Sequence, residues 1–170
     1  EAVFRRINGD RASVADVLRG IEAAEAAGFS PIKINTVVQR GVNDHNLIEI
    51  VQYFRQRGHI VRFIEYMDVG TLNGWNYEQV LLTNDLIQQI GDVIPLEAIP
   101  SDSAGEVARR YRYADGSGEI GFITAISNPF CGGCNRLRLS AEGKLYNCLF
   151  AREGIDLRNL LRSGESDEMI

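Results

Sequence analysis

The order of the residues predicts an α/β fold whose first part is a parallel sheet or barrel and whose second part is an antiparallel β region with helices. Three observations carry this. Two amphipathic helical stretches alternate with two β-branched apolar stretches as far as about residue 70. The connections between them are short, as βα units require. Beyond that point the alternation gives way to two hairpin-like pairs.

Ser13, with Asp16 three residues on, reads as a helix N-cap. Val14, Val17, Leu18 and Ile21 then recur at helical spacing until Gly28 supplies a stop. PIKINTVV (31–38) reads as a strand. Asn43 or Asp44 opens a second helix carrying Leu47, Ile48, Val51 and Phe54. It ends with Arg55 and Arg57 on its negative pole and Gly58 beyond. IVRFIEY (60–66) is the next strand. GTLNGW (70–75) reads as a loop, and Thr83 as the cap of a short helix ending at Gly91. Pro95, Pro100 and the stretch 101–103 then interrupt the pattern. Runs 107–113 and 119–126, joined by ADGSG, form one expected hairpin, and 136–146, turning at Glu142–Gly143, a second.

The 170 residues are 45% hydrophobic and 24% charged, and no apolar run reaches membrane-spanning length. That is the composition of one globular domain or part of a larger one. A net charge of −5 argues against general binding of nucleic acid or of a membrane surface, so an anionic ligand needs a local cluster of bases. The opening EAVFRRINGD has neither an initiator Met nor a secretory leader, and the closing SDEMI reads as a helix turn cut short. The expectation is a piece truncated at both ends. Three cysteines, an odd number without a leader, disfavour a disulfide scaffold and point to a reducing cytoplasm.

On the strand from Ile32, one face carries Ile32, Ile34, Thr36 and Val38, the other Lys33, Asn35, Val37 and Gln39. Flanking helices need the apolar face, so Lys33 and Asn35 point away from them. In a barrel that direction is the interior, where a Lys and an Asn suggest a cavity for a polar ligand; on an edge strand it is solvent. Arg62, among Ile60, Val61 and Phe63, either reaches water or meets an anion. His45 and His59 read as surface or capping residues. The basic run Arg109–Arg112 falls on alternating strand faces and reads as exposed.

All three cysteines lie in FCGGCNRLRLSAEGKLYNCLF (130–150). A thioredoxin-type pair would open a helix, whereas strand-like alternation follows Cys134. Zinc would need a carboxylate or a partner chain to complete four ligands, since no fourth Cys and no nearby His is present. An iron–sulfur cluster held by Cys131, Cys134 and Cys148 would keep one iron open. Zinc and iron–sulfur both remain open on spacing alone. Arg136 and Arg138, two apart on an expected strand, suit a phosphate chain or a solvated face equally well.

CGGCNRLRLS (131–140) followed by GKLYNCLF (143–150), with IKINTVVQ (32–39), VRFIEYMDVG (61–70), NGW (73–75) and GEVA (105–108), resembles the GTP 3′,8-cyclases, radical S-adenosylmethionine enzymes of molybdenum cofactor biosynthesis. The resemblance implies the later part of an incomplete TIM-type (β/α) barrel in residues 1–75. It implies a C-terminal antiparallel β/α region carrying an Fe–S site and a GTP site in residues 76–170. It further implies Cys131, Cys134 and Cys148 as ligands of a 4Fe–4S cluster whose open iron takes the guanine base. Arg136, Leu137, Arg138, Lys33 and Arg62 become GTP contacts, and Met67 lies beside the adenine of S-adenosylmethionine. Homodimer formation follows from the resemblance alone. In the family a radical made at a second 4Fe–4S cluster, on a C-x-x-x-C-x-x-C motif, attacks a GTP held at both ends. These 170 residues contain no such motif, so the chain is expected to be inactive alone. The rival reading is a zinc-stabilised interaction module without enzymatic activity.

Overall fold

The computed structural model describes residues 1–69, 74–101 and 105–168. The expected 70–75 loop, the 101–103 interruption and the terminal SDEMI turn therefore lie wholly or partly outside the described residues. Two compact units are present: Glu1–Met67 with Trp75–Phe130, and Asp68–Gly74 with Cys131–Ile170.

The larger unit is built on a five-stranded sheet, in the order β1 (Lys33–Val38), β2 (Ile60–Glu65), β5 (Glu119–Ile123), β4 (Arg109–Tyr113) and β3 (Leu96–Ile99). β1, β2 and β5 run parallel, and β4 and β3 continue antiparallel. The βα rhythm thus produces the parallel pair it predicts, and the expected 107–126 hairpin forms. Its second strand joins β2, however, so the hairpin extends the same sheet. The resemblance implies part of an incomplete barrel, and the sheet shows no barrel closure. The tight turn between β4 and β5 reverses the chain, the sheet ends at β1 and β3, and no described strand pairs with their outer edges. An isolated bridge, Gln39 to Val80, lies just beyond β1.

Among the described residues, five α-helices accompany the strands: α1 (Ala2–Asn8), α2 (Val14–Ala26), α3 (Leu47–Arg55), α4 (Thr83–Gly91) and α5 (Leu157–Ser163). α2 begins as predicted, with a capping box in which the Ser13 hydroxyl accepts from Asp16 N–H and Asp16 accepts from Ser13 N–H. α3 is entered through a 3₁₀ turn, Asp44–Asn46. Asn43 bridges back to β1 instead of capping the helix, accepting from Gln39 N–H and donating to the Val37 carbonyl. Thr83 does not cap α4 either. It is the first helical residue, and its N–H is taken by the Glu65 carboxylate at 2.8 Å.

The core lies on one sheet face. Val38, Val61, Phe63, Ile120, Phe122 and Tyr113 pack against Leu47, Val51 and Phe54 of α3 and Leu86 and Ile90 of α4. These side chains sit at the helical i, i+4, i+7 and strand i, i+2 spacings, which is why the two patterns can share one interior. His59, expected as a surface or capping residue, is buried, with its Nε2 2.8 Å from the Glu25 carboxylate.

The smaller unit holds a three-stranded antiparallel sheet, β6 (Arg138–Leu139), β7 (Lys144–Tyr146) and β8 (Ile155–Asp156), and α5. Its β6–β7 hairpin turns at Gly143, whose φ of 81° suits glycine, as the sequence predicts. β8 and α5 were not foreseen. No described residue of this unit is fully buried. Among the described residues, no helix is long and apolar enough to cross a membrane.

Candidate functional site

The sheet face opposite the helices carries Lys33, Asn35, Arg62, Gly121 and Arg110. Lys33, Arg62 and Arg110 line one cleft of about 140 Å³ together with Glu106, Glu119 and Gly121. This agrees with the expectation that the Lys33 face turns away from the helices. The Arg62 Nε donates to Asn35 Oδ1 at 2.8 Å, across the register Asn35↔Arg62. Arg110, expected to be exposed with its neighbours, belongs to this cleft. It pairs with Glu119 at 2.9 Å and Glu106 at 3.6 Å. Arg109 and Arg112 do point outward, to Asn84 and Glu97. Both acids are thus engaged by Arg110, and no ion pair to Lys33 or Arg62 occurs among the described residues. A cleft of this size with two such cations suits a phosphate-sized anion, not a whole nucleotide. An adjoining pocket of about 330 Å³ shares Glu106 and Arg110 and adds Thr124, Asn128 and Phe130.

In the smaller unit, Cys131 and Cys134 bracket a 3₁₀ turn, with Cys134 N–H bonded to the Cys131 carbonyl at 3.2 Å. All three cysteines are free and exposed. The Arg136 guanidinium donates to Cys134 Sγ from Nε at 3.3 Å and from Nη2 at 3.2 Å. Hydrogen bonds from Arg136, backbone and side chain, followed by its charge and that of Arg138, draw the Cys134 thiol below its ordinary pKa. Cys148 Sγ accepts from Phe150 N–H at 3.4 Å. Exposed, uncrosslinked thiols of this kind have the donor chemistry of a thiolate-ligated cluster. Among the described residues, however, no three Cys, His, Asp or Glu side chains are gathered closely enough to hold a metal ion.

Arg136 precedes β6, which begins at Arg138, so strand parity does not put the two arginines on a shared face. Arg138 is half-buried, and its Nη1 is enclosed without a hydrogen-bond partner. Leu137 is exposed at the rim of a cleft shared with Leu145, Asn147 and Ile155. Met67 lies just past the end of β2.

Glu65 escaped the sequence reading. It is fully buried at the end of β2 and accepts four hydrogen bonds, from Thr83 N, Ile126 N, Ser127 N and Ser127 Oγ. Its place on the Val61–Phe63 face of an alternating strand was the available signal.

Comparison with known proteins places the chain. Residues 59–170 match the family described as Molybdenum Cofactor Synthesis C. The chain is 52% identical over 164 residues to a GTP 3′,8-cyclase of Xanthomonas axonopodis pv. citri, covering 96% of this chain and 49% of that protein. It is 47% identical over 169 residues to one of Acidothermus cellulolyticus, covering 99% and 47%. A Synechococcus GTP 3′,8-cyclase is 47% identical over 161 residues, covering 92% and 46%. The chain spans about half the length of the curated relatives it matches. With the family matched over its later two-thirds and the relatives over nearly its whole length, the chain belongs to the Molybdenum Cofactor Synthesis C family.

Proposed function

We propose that this chain is the nucleotide-binding later part of a GTP 3′,8-cyclase acting in molybdenum cofactor synthesis. The observation that carries this is the 52% identity to such an enzyme over 96% of the chain. Within the larger unit, Lys33 and Arg62 bind phosphate groups of GTP, since their cleft is left cationic once Arg110 engages both acids. Met67 contributes to the site for S-adenosylmethionine. Within the smaller unit, Arg136, Leu137 and Arg138 contact GTP, and Cys131, Cys134 and Cys148 would hold a 4Fe–4S cluster. When bound, that cluster supplies an iron with an open position for the purine base. Arg136 favours the thiolate form of Cys134, which is the form that binds metal. The functional division follows residues 1–75 and 76–170, in a reducing cytoplasm, with homodimers as the assembly.

Radical generation belongs to a motif these residues lack. The chain alone, given S-adenosylmethionine and a strong reductant, is expected to form no cyclised product from GTP. The test of the reading is iron, sulfide and zinc content after anaerobic reconstitution, with and without GTP. About four irons and four sulfides per chain, with a spectrum that changes on adding GTP, supports it. One zinc, no iron and no response to GTP would return the three cysteines to a structural staple of a non-enzymatic module.

A further inference from the structure

On the sheet face away from the helices, two strand registers coincide. Asn35 of β1 stands opposite Arg62 of β2, and Arg62 stands opposite Gly121 of β5. Residues paired this way share a face, so Arg62 lies between an amide on one side and a residue without a side chain on the other. The amide is used: Asn35 Oδ1 takes the Arg62 Nε–H at 2.8 Å. The missing side chain is used too. A Cβ at Gly121 would stand 3.1 Å from Arg62 Cγ and 3.6 Å from Cδ, with the Ala108 Cβ at 3.5 Å. The backbone of Gly121 is outside the left-handed region, so its conformation does not call for glycine. What calls for it is the stem of Arg62, which crosses the space a side chain would fill.

We propose that Asn35 and Gly121 are positioning residues, forming a two-sided seat that fixes the Arg62 guanidinium for a phosphate group. The inference rests on the reading of Arg62 as a phosphate contact. With Nε committed to Asn35, the four N–H groups on Nη1 and Nη2 remain for an anion, in the planar fork that phosphate oxygens match. Glu106 and Glu119, the acids of the same cleft, are occupied by Arg110 and do not compete for that fork. A flexible arginine held at both stem and Nε loses less freedom on binding.

The test uses the isotopically labelled chain and follows two signals, the Arg62 Nε–H resonance, assigned by its loss in Arg62→Lys, and the affinity for GTP. Gly121→Ala and Asn35→Ala should each move that resonance and weaken GTP binding about fivefold, the scale of one weakened hydrogen bond. In an Arg62→Ala background neither should weaken it further. Guanosine, which lacks phosphates, should bind wild type and variants alike. Should Gly121→Ala fail to fold, Asn35→Ala carries the test, since it adds no bulk. An unmoved resonance, or equal losses with and without Arg62, overturns the seat. If wild type binds no GTP, or Arg62→Ala binds it as well as wild type, the phosphate reading fails and the inference with it. The resonance still shows in that case whether the seat exists.

Discussion

Glu65 carries a charge where the sheet is driest, and its stability rests on four donors. Burial pushes its carboxyl upward, but hydrogen bonds from the Ser127 side chain and backbone, then Ile126 and Thr83, outweigh this and hold it below the ordinary glutamate range. A carboxyl depressed in the folded state contributes stability that is present above its unfolded pKa and lost as pH falls through the folded value. Glu65→Gln turns an acceptor into a donor facing N–H groups, so it should lower unfolding free energy at neutral pH by about 2–3 kcal/mol. It should also flatten the acid side of the stability profile. Urea unfolding at neutral and acidic pH checks both; an unchanged acid slope would assign the pH dependence to another group. The capping role of this residue was not legible, because its partners lie 18, 61 and 62 positions away. Only its face parity was local. Ser13 and Asp16, three apart, were legible for the converse reason: a capping box is complete within one turn.

At the scale of elements, the short sheet of the smaller unit depends on a close approach. A Cβ at Gly154 would meet the Leu145 carbonyl oxygen at 2.8 Å and the Tyr146 ring at 2.9 Å. Since β8 has only two paired positions, Leu145↔Ile155 and Lys144↔Asp156, nothing else in its ladder can absorb the clash. Gly154→Ala should part β8 from β7, abolish amide protection at the β7–β8 ladder, and cost about 1–3 kcal/mol of local stability. Hydrogen exchange followed by residue reads this, with the β1–β2 amides as an unaffected control. Protection retained at the ladder would mean that the strands shift together. β8 could not be foreseen, because two residues carry no period. β3 was hidden differently: Pro95 and Pro100 frame it, and they read as breaks where they are the ends of an edge strand. The long β1, α3 and β2 carried enough periods to be read directly.

Across the whole chain, much apolar surface remains open. The outer edge of β1 has no strand partner among the described residues, and Val37 on that strand is 38% exposed. Leu137, Leu139, Ile155 and Leu161 of the smaller unit are each at least 60% exposed. An open strand edge is a template for pairing with another copy, and exposed apolar side chains are a second surface for association. The chain should run above its monomer mass of 18.9 kDa in size-exclusion chromatography with light scattering. Val37→Lys, which places a charge on the edge strand, should shift it toward monomer. A wild-type monomer would show that the edge is not a template.

Residue order alone determined the βα rhythm, the two hairpins, the capping box, the clustering of the cysteines and the family, because each is written in neighbours or in a run of motifs. The tertiary structure decided what depends on register between distant strands. It put Arg110 beside Lys33 and Arg62, laid Arg62 across Gly121, buried Glu65 beneath the start of α4, and continued the parallel strands into an antiparallel pair in one open sheet. The physical reason is that hydrophobic period sets which face a residue takes, whereas its neighbours across the sheet are set by pairing between segments tens of residues apart.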